Sequence, residues 1–302
     1  MKRSLFFTLL FACSVLSAQT VTGVDANQVG KTIEITYHLD RTADISLDYS
    51  TDGGRTYKPL HRVSGDVGRG ITAGHRTITW DVLSELENLI ADVSFRVNAT
   101  SGMGYENGHE WVDLGLSVKW ATCNVGANKP EKYGNYYAWG ETTTKNYYDW
   151  STYKWCNGSY STLTKYNTDC RDGTVDNKTV LELADDAARA NWGGAWRMPT
   201  NAEWTELREN CTWTWTDDYN GTNVNGQIVT SKINGNSIFL PSAGYRDGGG
   251  LYSVGSCGDY WSSSLYSGKS GDAYNLSFSS DLVDWYNGYR YFGRSVRGVF
   301  SK

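Results

Sequence analysis

The residues best suited to meeting a ligand crowd the last part of the chain. From Tyr260 to Phe292, ten of 33 residues are aromatic and eight are Ser, set among Gly, Asp and Asn. Rigid rings supply contact area at low entropy cost, and Ser, Gly and Asn supply adaptable hydrogen bonds. That chemistry is recognition. The run Trp285-Tyr-Asn-Gly-Tyr-Arg-Tyr-Phe292 is too aromatic and too polar for an ordinary strand, whereas Tyr274, Leu276 and Phe278 alternate and predict a buried one. Patterns for covalent or metal chemistry are missing: there is no H-E-x-x-H, C-x-x-C, phosphate loop or G-x-S-x-G. Carboxylates such as Asp217, Asp218, Asp281 and Asp284 abound, but a glycosidase needs two across a cleft, which sequence does not fix. The stretch Asp217-Asp-Tyr-Asn-Gly-Thr-Asn223 offers oxygens for calcium; its spacing lacks the EF-hand pattern, so a polar turn is expected. No cofactor is expected.

The elements that must position the window fall into two domains. The chain has 302 residues, 28 Lys+Arg against 33 Asp+Glu and a charge of -5. With 39% hydrophobic and 20% charged residues it can build a core, and the acidic balance speaks against nucleic acid as a partner. Only Trp80 of the 13 Trp, and only Tyr37, Tyr49 and Tyr57 of the 21 Tyr, precede residue 101. Residues 101–108, Ser-Gly-Met-Gly-Tyr-Glu-Asn-Gly, read as a linker between domains 19–100 and 109–302.

Residues 1–18 read as a secretory signal: Lys2 and Arg3, the apolar run Leu5 to Ala12, then small residues. The run is too short for a permanent anchor. Cleavage after Ala18 leaves 284 residues, and loss of Lys2 and Arg3 takes the charge from -5 to -7. Lipidation at Cys13 is a rival reading, disfavoured by Phe11. The mature chain is expected to be exported: secreted, periplasmic or at the cell surface, with no transmembrane segment.

In residues 19–100, Ile33, Ile35, Tyr37 and Leu39 alternate with polar residues, as do Ile45, Leu47 and Tyr49. Thr77–Trp80 and Val93–Val97 add further strands, and Asp52-Gly53-Gly54 supplies a turn. The pattern predicts a small all-β sandwich of immunoglobulin or fibronectin type, serving as a spacer. Ser50-Thr-Asp-Gly-Gly-Arg-Thr-Tyr57 resembles the Asp-box hairpin of sialidase propellers, but it occurs once and is expected to be only a stable hairpin.

The second domain is predicted to be α+β. Val180, Leu181, Ala184, Ala187 and Ala188 predict a helix over Asn177 to Asn191, with Asp185 paired to Arg189. A second helix should begin at Pro199-Thr200, with Thr200 and Glu203 as a capping box and Trp204 and Leu207 facing the core. Arg197 and Arg297 are expected in buried ion pairs, and His109 at the surface. Five mature cysteines, Cys123, Cys156, Cys170, Cys211 and Cys257, suit disulfides in an exported chain. Five is odd, so at least one stays unpaired; Cys156 with Cys170 is the first pair expected, and the other partners stay open.

Several segments together resemble a family. Trp111-Val-Asp-Leu-Gly-Leu-Ser-Val-Lys-Trp-Ala-Thr-Cys-Asn-Val-Gly126, Tyr137-Ala-Trp-Gly-Glu141, Trp196-Arg-Met-Pro-Thr-Asn-Ala-Glu-Trp204, Tyr260-Trp-Ser-Ser-Ser264 and Gly293-Arg-Ser-Val-Arg-Gly-Val299 resemble the Fibrobacter succinogenes major paralogous domain. The central motif is also similar to one in formylglycine-generating enzymes. The resemblance implies a C-type-lectin-like fold over about residues 109–300, with two helices, small twisted sheets, long loops and termini that meet in a sheet. Oxidases of the formylglycine type use a late cysteine pair with copper; this chain has no Cys after Cys257, so that activity is not expected.

The segments Tyr260-Trp-Ser-Ser-Ser264, Ala273-Tyr-Asn-Leu-Ser-Phe278 and Arg294-Ser-Val-Arg297 also resemble the variable region of retroelement-diversified proteins. That resemblance implies fixed scaffold positions at Trp261, Tyr274, Leu276, Phe278 and Val296. It implies ligand-facing positions at Tyr266, Lys269, Asp272, Ser277, Ser279, Asp281, Asp284, Trp285, Tyr286, Tyr289 and Tyr291. The whole reads as an exported protein with a lectin-like head for a protein or carbohydrate ligand. The alternatives are a formylglycine-type oxidase, a carbohydrate hydrolase, or a structural surface or fimbrial component.

Overall fold

A computed structural model describes residues 21–40, 42–85, 92–100 and 102–301. The signal segment, its cleavage point and Cys13 lie outside the described residues. The chain divides into two compact units between Gly102 and Met103. Among the described residues, no helix is long and apolar enough to cross a membrane.

The alternation in the first unit produces the strands it predicts. Thr32–Leu39 pairs antiparallel with Val21–Val29 on one side and Gly74–Asp81 on the other, and Val63–Gly65 extends that sheet. Ala43–Ser50 pairs with Ser94–Thr100, Lys58–Pro59 and Gly68–Ile71 in a second sheet. Ile33, Ile35, Tyr37, Leu39, Ile78 and Trp80 from the first sheet share one core with Ile45, Leu47 and Val97 from the second. Each large aliphatic or aromatic side chain buried there contributes ~1.5–3 kcal/mol. The single Asp-box segment is a self-contained turn. Asp52 Oδ1 accepts from Ser50 Oγ at 2.6 Å and from the Arg55 and Thr56 amides at 3.0 Å, while Oδ2 accepts from Thr56 Oγ1 at 2.6 Å. The Ser50 and Thr56 hydrogen bonds hold its carboxyl well below the usual carboxylate range.

In the second unit, the last strand, Arg297–Ser301, lies antiparallel to an early one, Val118–Asn124, which continues to His109–Val112 and Met103–Glu106. The expected linker is therefore corrected: most of it is a hairpin turning at Asn107 and Gly108, both at positive φ. Three further antiparallel sheets follow: Cys211–Thr216 with Gly226–Ser231 and Ser237–Pro241; Tyr245–Asp247 with Gly250–Tyr252; and Gly258–Leu265 with Asp272–Phe278 and Val283–Tyr289. Their core falls into clusters around Trp120, Trp204, Tyr260 and Leu276, and around Trp139, Trp196, Trp261 and Val296.

The second helix runs Asn201–Asn210. Thr200 Oγ1 accepts from the Glu203 amide at 3.2 Å, and Glu203 Oε2 accepts from the Thr200 amide at 2.8 Å, closing the capping box. Trp204 and Leu207 are buried beneath it. The first helix is shorter than predicted, Ala187–Trp192. Residues before it are drawn into tertiary contacts: Val180 bridges Ser264, and the Leu181 amide donates to Ser263 O. Asp186 then caps the short helix through the Arg189 amide, and Asp185 turns to Lys165 at 2.5 Å and to Tyr166 Oη at 2.7 Å rather than to Arg189.

Arg197 pairs with Glu203, at 2.5 and 2.8 Å, but is half-buried rather than buried. Arg297 corrects its expectation. It is fully buried, and its guanidinium donates to Asn124 Oδ1 and to the carbonyls of Ala121, Thr122 and Phe239. His109 is half-buried rather than superficial, stacked on Trp192 at 4.3 Å, and desolvation pushes its pKa down. All five cysteines of the described residues are free, so no Cys156–Cys170 bridge forms; Cys156 Sγ instead donates to Trp150 O at 3.1 Å, and Cys170 is exposed.

Candidate functional site

Val283–Tyr289 is the outer strand of its sheet, and among the described residues no strand pairs with its far edge. This corrects the reading of Trp285–Phe292 as unlike a strand: an outer strand tolerates rings and polar residues because one flank stays in solvent. The register sets Trp285 opposite Leu276, Asn287 opposite Tyr274 and Tyr289 opposite Asp272. Directly opposed residues share a face, so Trp285, Asn287 and Tyr289 form one row. Trp285 is 43% exposed and Tyr289 40% exposed, and Tyr286, on the alternate side, is 45% exposed. Rings of this size left open at adjacent positions mark a surface that has something to bury.

Ring contacts extend the row. Trp285 meets Tyr274 edge-on at 5.5 Å, and Tyr274 meets Tyr266 at 5.1 Å. At the other end, Tyr289 stacks on Tyr291 at 5.5 Å, and both touch Trp150, at 6.0 and 5.1 Å. Trp150 also touches Tyr160 at 6.5 Å, and Tyr160 is 48% exposed. Lys269 Nζ sits between two rings, 4.9 Å from Tyr289 and 5.4 Å from Tyr160. Burial pushes the Tyr291 phenol up to about 12, so it stays neutral across the physiological range.

The structure thus gathers Tyr266, Lys269, Trp285, Tyr289 and Tyr291 into one surface. Tyr274 is corrected: it is half-buried and joins the exposed ladder rather than the core, unlike Leu276 and Phe278. Asp272 is corrected the other way. It is buried, accepts from Asn287 Nδ2 at 2.8 Å, and its Oδ1, 3.9 Å from Lys269 Nζ, has no hydrogen-bond partner. It orders the strand pair rather than facing a ligand. Ser277, Ser279, Asp281 and Asp284 lie toward the opposite end. Ser279 O accepts from Gln227 Nε2, and Ser279 Oγ accepts from the Asp281 amide in the turn between the strands. Asp284 is held by Arg208 of the second helix. Asp281 remains exposed, and Ser277 is half-buried opposite both Asp284 and Asp259.

Trp150 and Tyr160 were outside the predicted set. Trp150 comes from a turn and Tyr160 from the start of a short 3-10 helix, Tyr160–Thr162, both far upstream, with no spacing to signal the meeting. Also unforeseen is a polar cleft of about 270 Å³ lined by Thr168, Asp169, Arg171, Asp172 and residues 267–270. Lys269 belongs to both cleft and aromatic row. Asp169 accepts from Arg171 Nε at 3.0 Å, and these hydrogen bonds hold its carboxyl down to about 2.

Arg290 is the brace beneath both features. It is fully buried. Its Nε donates to Tyr153 Oη at 2.8 Å, and its other nitrogens donate to the carbonyls of Tyr166, Ser270 and Lys165 at 3.0–3.1 Å. One guanidinium therefore ties the end of the aromatic strand to Ser270 of the cleft lining and to Lys165 and Tyr166, just before Thr168 of its other side. A neighbouring buried pair, Arg294 with Asp259 at 2.8 Å, sits against Trp261 at 4.7 Å.

Asp217 and Asp218 are spent on local bonds, to Trp215 Nε1 at 2.7 Å and the Asn223 amide at 2.6 Å. Among the described residues, no three or more His, Cys, Asp and Glu gather as a metal-holding group. Compared with protein-family models, curated proteins and solved structures, the chain matches none.

Proposed function

We propose that this is an exported ligand-binding protein whose second unit presents the row Trp285 and Tyr289, with Tyr291 packed behind Tyr289, to a partner outside the cell. The observation that carries the reading is the set of large rings left open on an outer strand. Trp285 packs edge-on against Tyr274, and Tyr289 packs against Tyr291 and Trp150 beside the buried Arg290, so the rings have neighbours that position them before any ligand arrives. Fixed aromatic anchors bind at low entropic cost. Export rests on the N-terminal signal pattern.

The finer fold reading belongs to the same proposal. Two antiparallel sheets around one core support an immunoglobulin- or fibronectin-like first unit. Two short helices, several small sheets, and a last strand beside an early one support a C-type-lectin-like second unit. On such a head the row is open to diversification by a retroelement, because its rings can change without breaking the core. The test is deep sequencing of the 3′ end of the gene across many cells and related isolates. Substitutions concentrated at Tyr266, Tyr289 and Tyr291, whose codons each carry an adenine, with Leu276, Phe278 and Arg290 fixed, are the result expected. A uniform window rejects diversification and leaves a receptor with one ligand.

A further inference from the structure

We infer that the cleft beside Lys269 is a subsite for an uncharged saccharide, with the rings of Tyr289 and Tyr160, on either side of Lys269, just outside its lining. This rests on the ligand-binding reading above and names the ligand class for one end of the row. Three observations carry it.

The first is composition. Every residue lining the cleft is polar or Gly: Thr168, Asp169, Arg171, Asp172, Ser267, Gly268, Lys269 and Ser270. An apolar anchor from a protein partner would gain nothing by entering it, because burial stabilises only where apolar surface meets apolar surface. Hydroxyl groups, which both donate and accept, match a lining of carboxylates, hydroxyls and cations.

The second is charge. The lining carries Asp169 and Asp172 against Arg171 and Lys269, and so is balanced. A phosphate, a sulfate or a uronic acid would meet two carboxylates, and a metal ion would meet two cations. An uncharged, hydroxyl-rich ligand meets neither penalty.

The third is placement. Gly271 follows the cleft in the chain, and a Cβ there would lie 3.6 Å from Trp150 and Tyr160 and 3.7 Å from the Lys269 stem. The chain leaving the cleft thus runs directly against these rings. Tyr160 and Tyr289 flank Lys269, and Trp150 contacts both rings. A pyranose ring has an apolar C–H face and an equatorial belt of hydroxyls. The rings suit its face, while Lys269, Ser267 and Asp172 suit its belt.

The experiment uses the mature full-length chain on an array of polysaccharides: neutral hexose and pentose polymers, uronic polymers and sulfated polymers. Binding to at least one neutral polymer is expected, unchanged between 0.05 and 0.5 M salt because no charge neutralisation is involved. Tyr160→Ala and Asp172→Asn should each weaken that binding by about tenfold, the scale of one lost ring contact or one lost hydrogen bond. Circular dichroism and melting temperature should be unchanged for Asp172→Asn, a fold control. Binding to no polymer overturns the inference, as does binding only to acidic polymers, or neutral-polymer binding indifferent to both substitutions. A protein ligand bound through Trp285 and indifferent to Tyr160→Ala and Asp172→Asn would overturn it while leaving the broader function standing.

Discussion

Replacing Arg290 by Met should unfold the head well before it unfolds the first unit. The guanidinium is completely buried and donates four hydrogen bonds, to Tyr153 Oη and to three backbone carbonyls. Met matches the stem but leaves four acceptors facing no donor. Hydrogen bonds to charged groups contribute ~1.5–3 kcal/mol each, and an orphaned buried acceptor costs ~1–3 kcal/mol. Relief of the buried charge offsets part of this, so the net loss expected is about 4 kcal/mol. For a unit of roughly 200 residues that lowers the melting temperature by ~8–16 °C. Guanidinium titration followed by Trp emission isolates the effect, because all Trp but Trp80 lie in the second unit. Arg290→Lys keeps the charge but not the fork, and should fall between the wild type and the Met variant. A loss under about 1 kcal/mol for the Met variant would refute the idea that this residue braces the strand and the cleft loops.

Two other outcomes follow from local chemistry. Burial against Trp192 lowers the His109 pKa below its ordinary 6.5, so the unfolded chain takes up this proton first as pH falls. Stability is then present above pH 6.5 and lost as pH falls through the folded-state value. His109→Gln should flatten the decline in melting temperature between pH 7.5 and 5, and an equal slope in both proteins would count against it. Thr200→Ala removes the acceptor for the Glu203 amide and leaves Glu203 paired with Arg197. It should cost about 1 kcal/mol in a denaturation series, and no change would mean the cap is not loaded.

What could be read from sequence was local. The alternation Ile33, Ile35, Tyr37, Leu39 specifies a strand because period two is a property of neighbouring residues. The capping box at Thr200 and Glu203 works within one helical turn. The second site component, Trp150 with Tyr160, was invisible because loops bring it to Tyr289 and Tyr291 from far upstream. The helix predicted from Asn177 starts late because Val180 and Leu181 are taken by backbone contacts with Ser263 and Ser264, and tertiary pairing overrides helical spacing. Asp272 is ligand-facing in the reading that the resemblance to diversified proteins implies, whereas it is buried and accepts from Asn287 of the neighbouring strand. Arg297 reads as half of a buried ion pair and nothing in the spacing singles out Arg290, yet backbone carbonyls from several segments converge on both. Tyr274 alternates with Leu276 and Phe278, but the core has ended by its position in the strand.

The central claim is that the open rings serve a ligand and not the core. The most direct measurement compares the mature chain with the Trp285→Ala, Tyr289→Ala double variant. Both are tested for binding to a combined panel of polysaccharides and extracellular proteins, and for melting temperature. The account predicts micromolar binding to at least one panel member, about 100-fold weaker in the variant, with a melting temperature within about 5 °C of wild type. Unchanged binding, or a head that melts more than about 10 °C lower, would place those rings in the structure and contradict the claim.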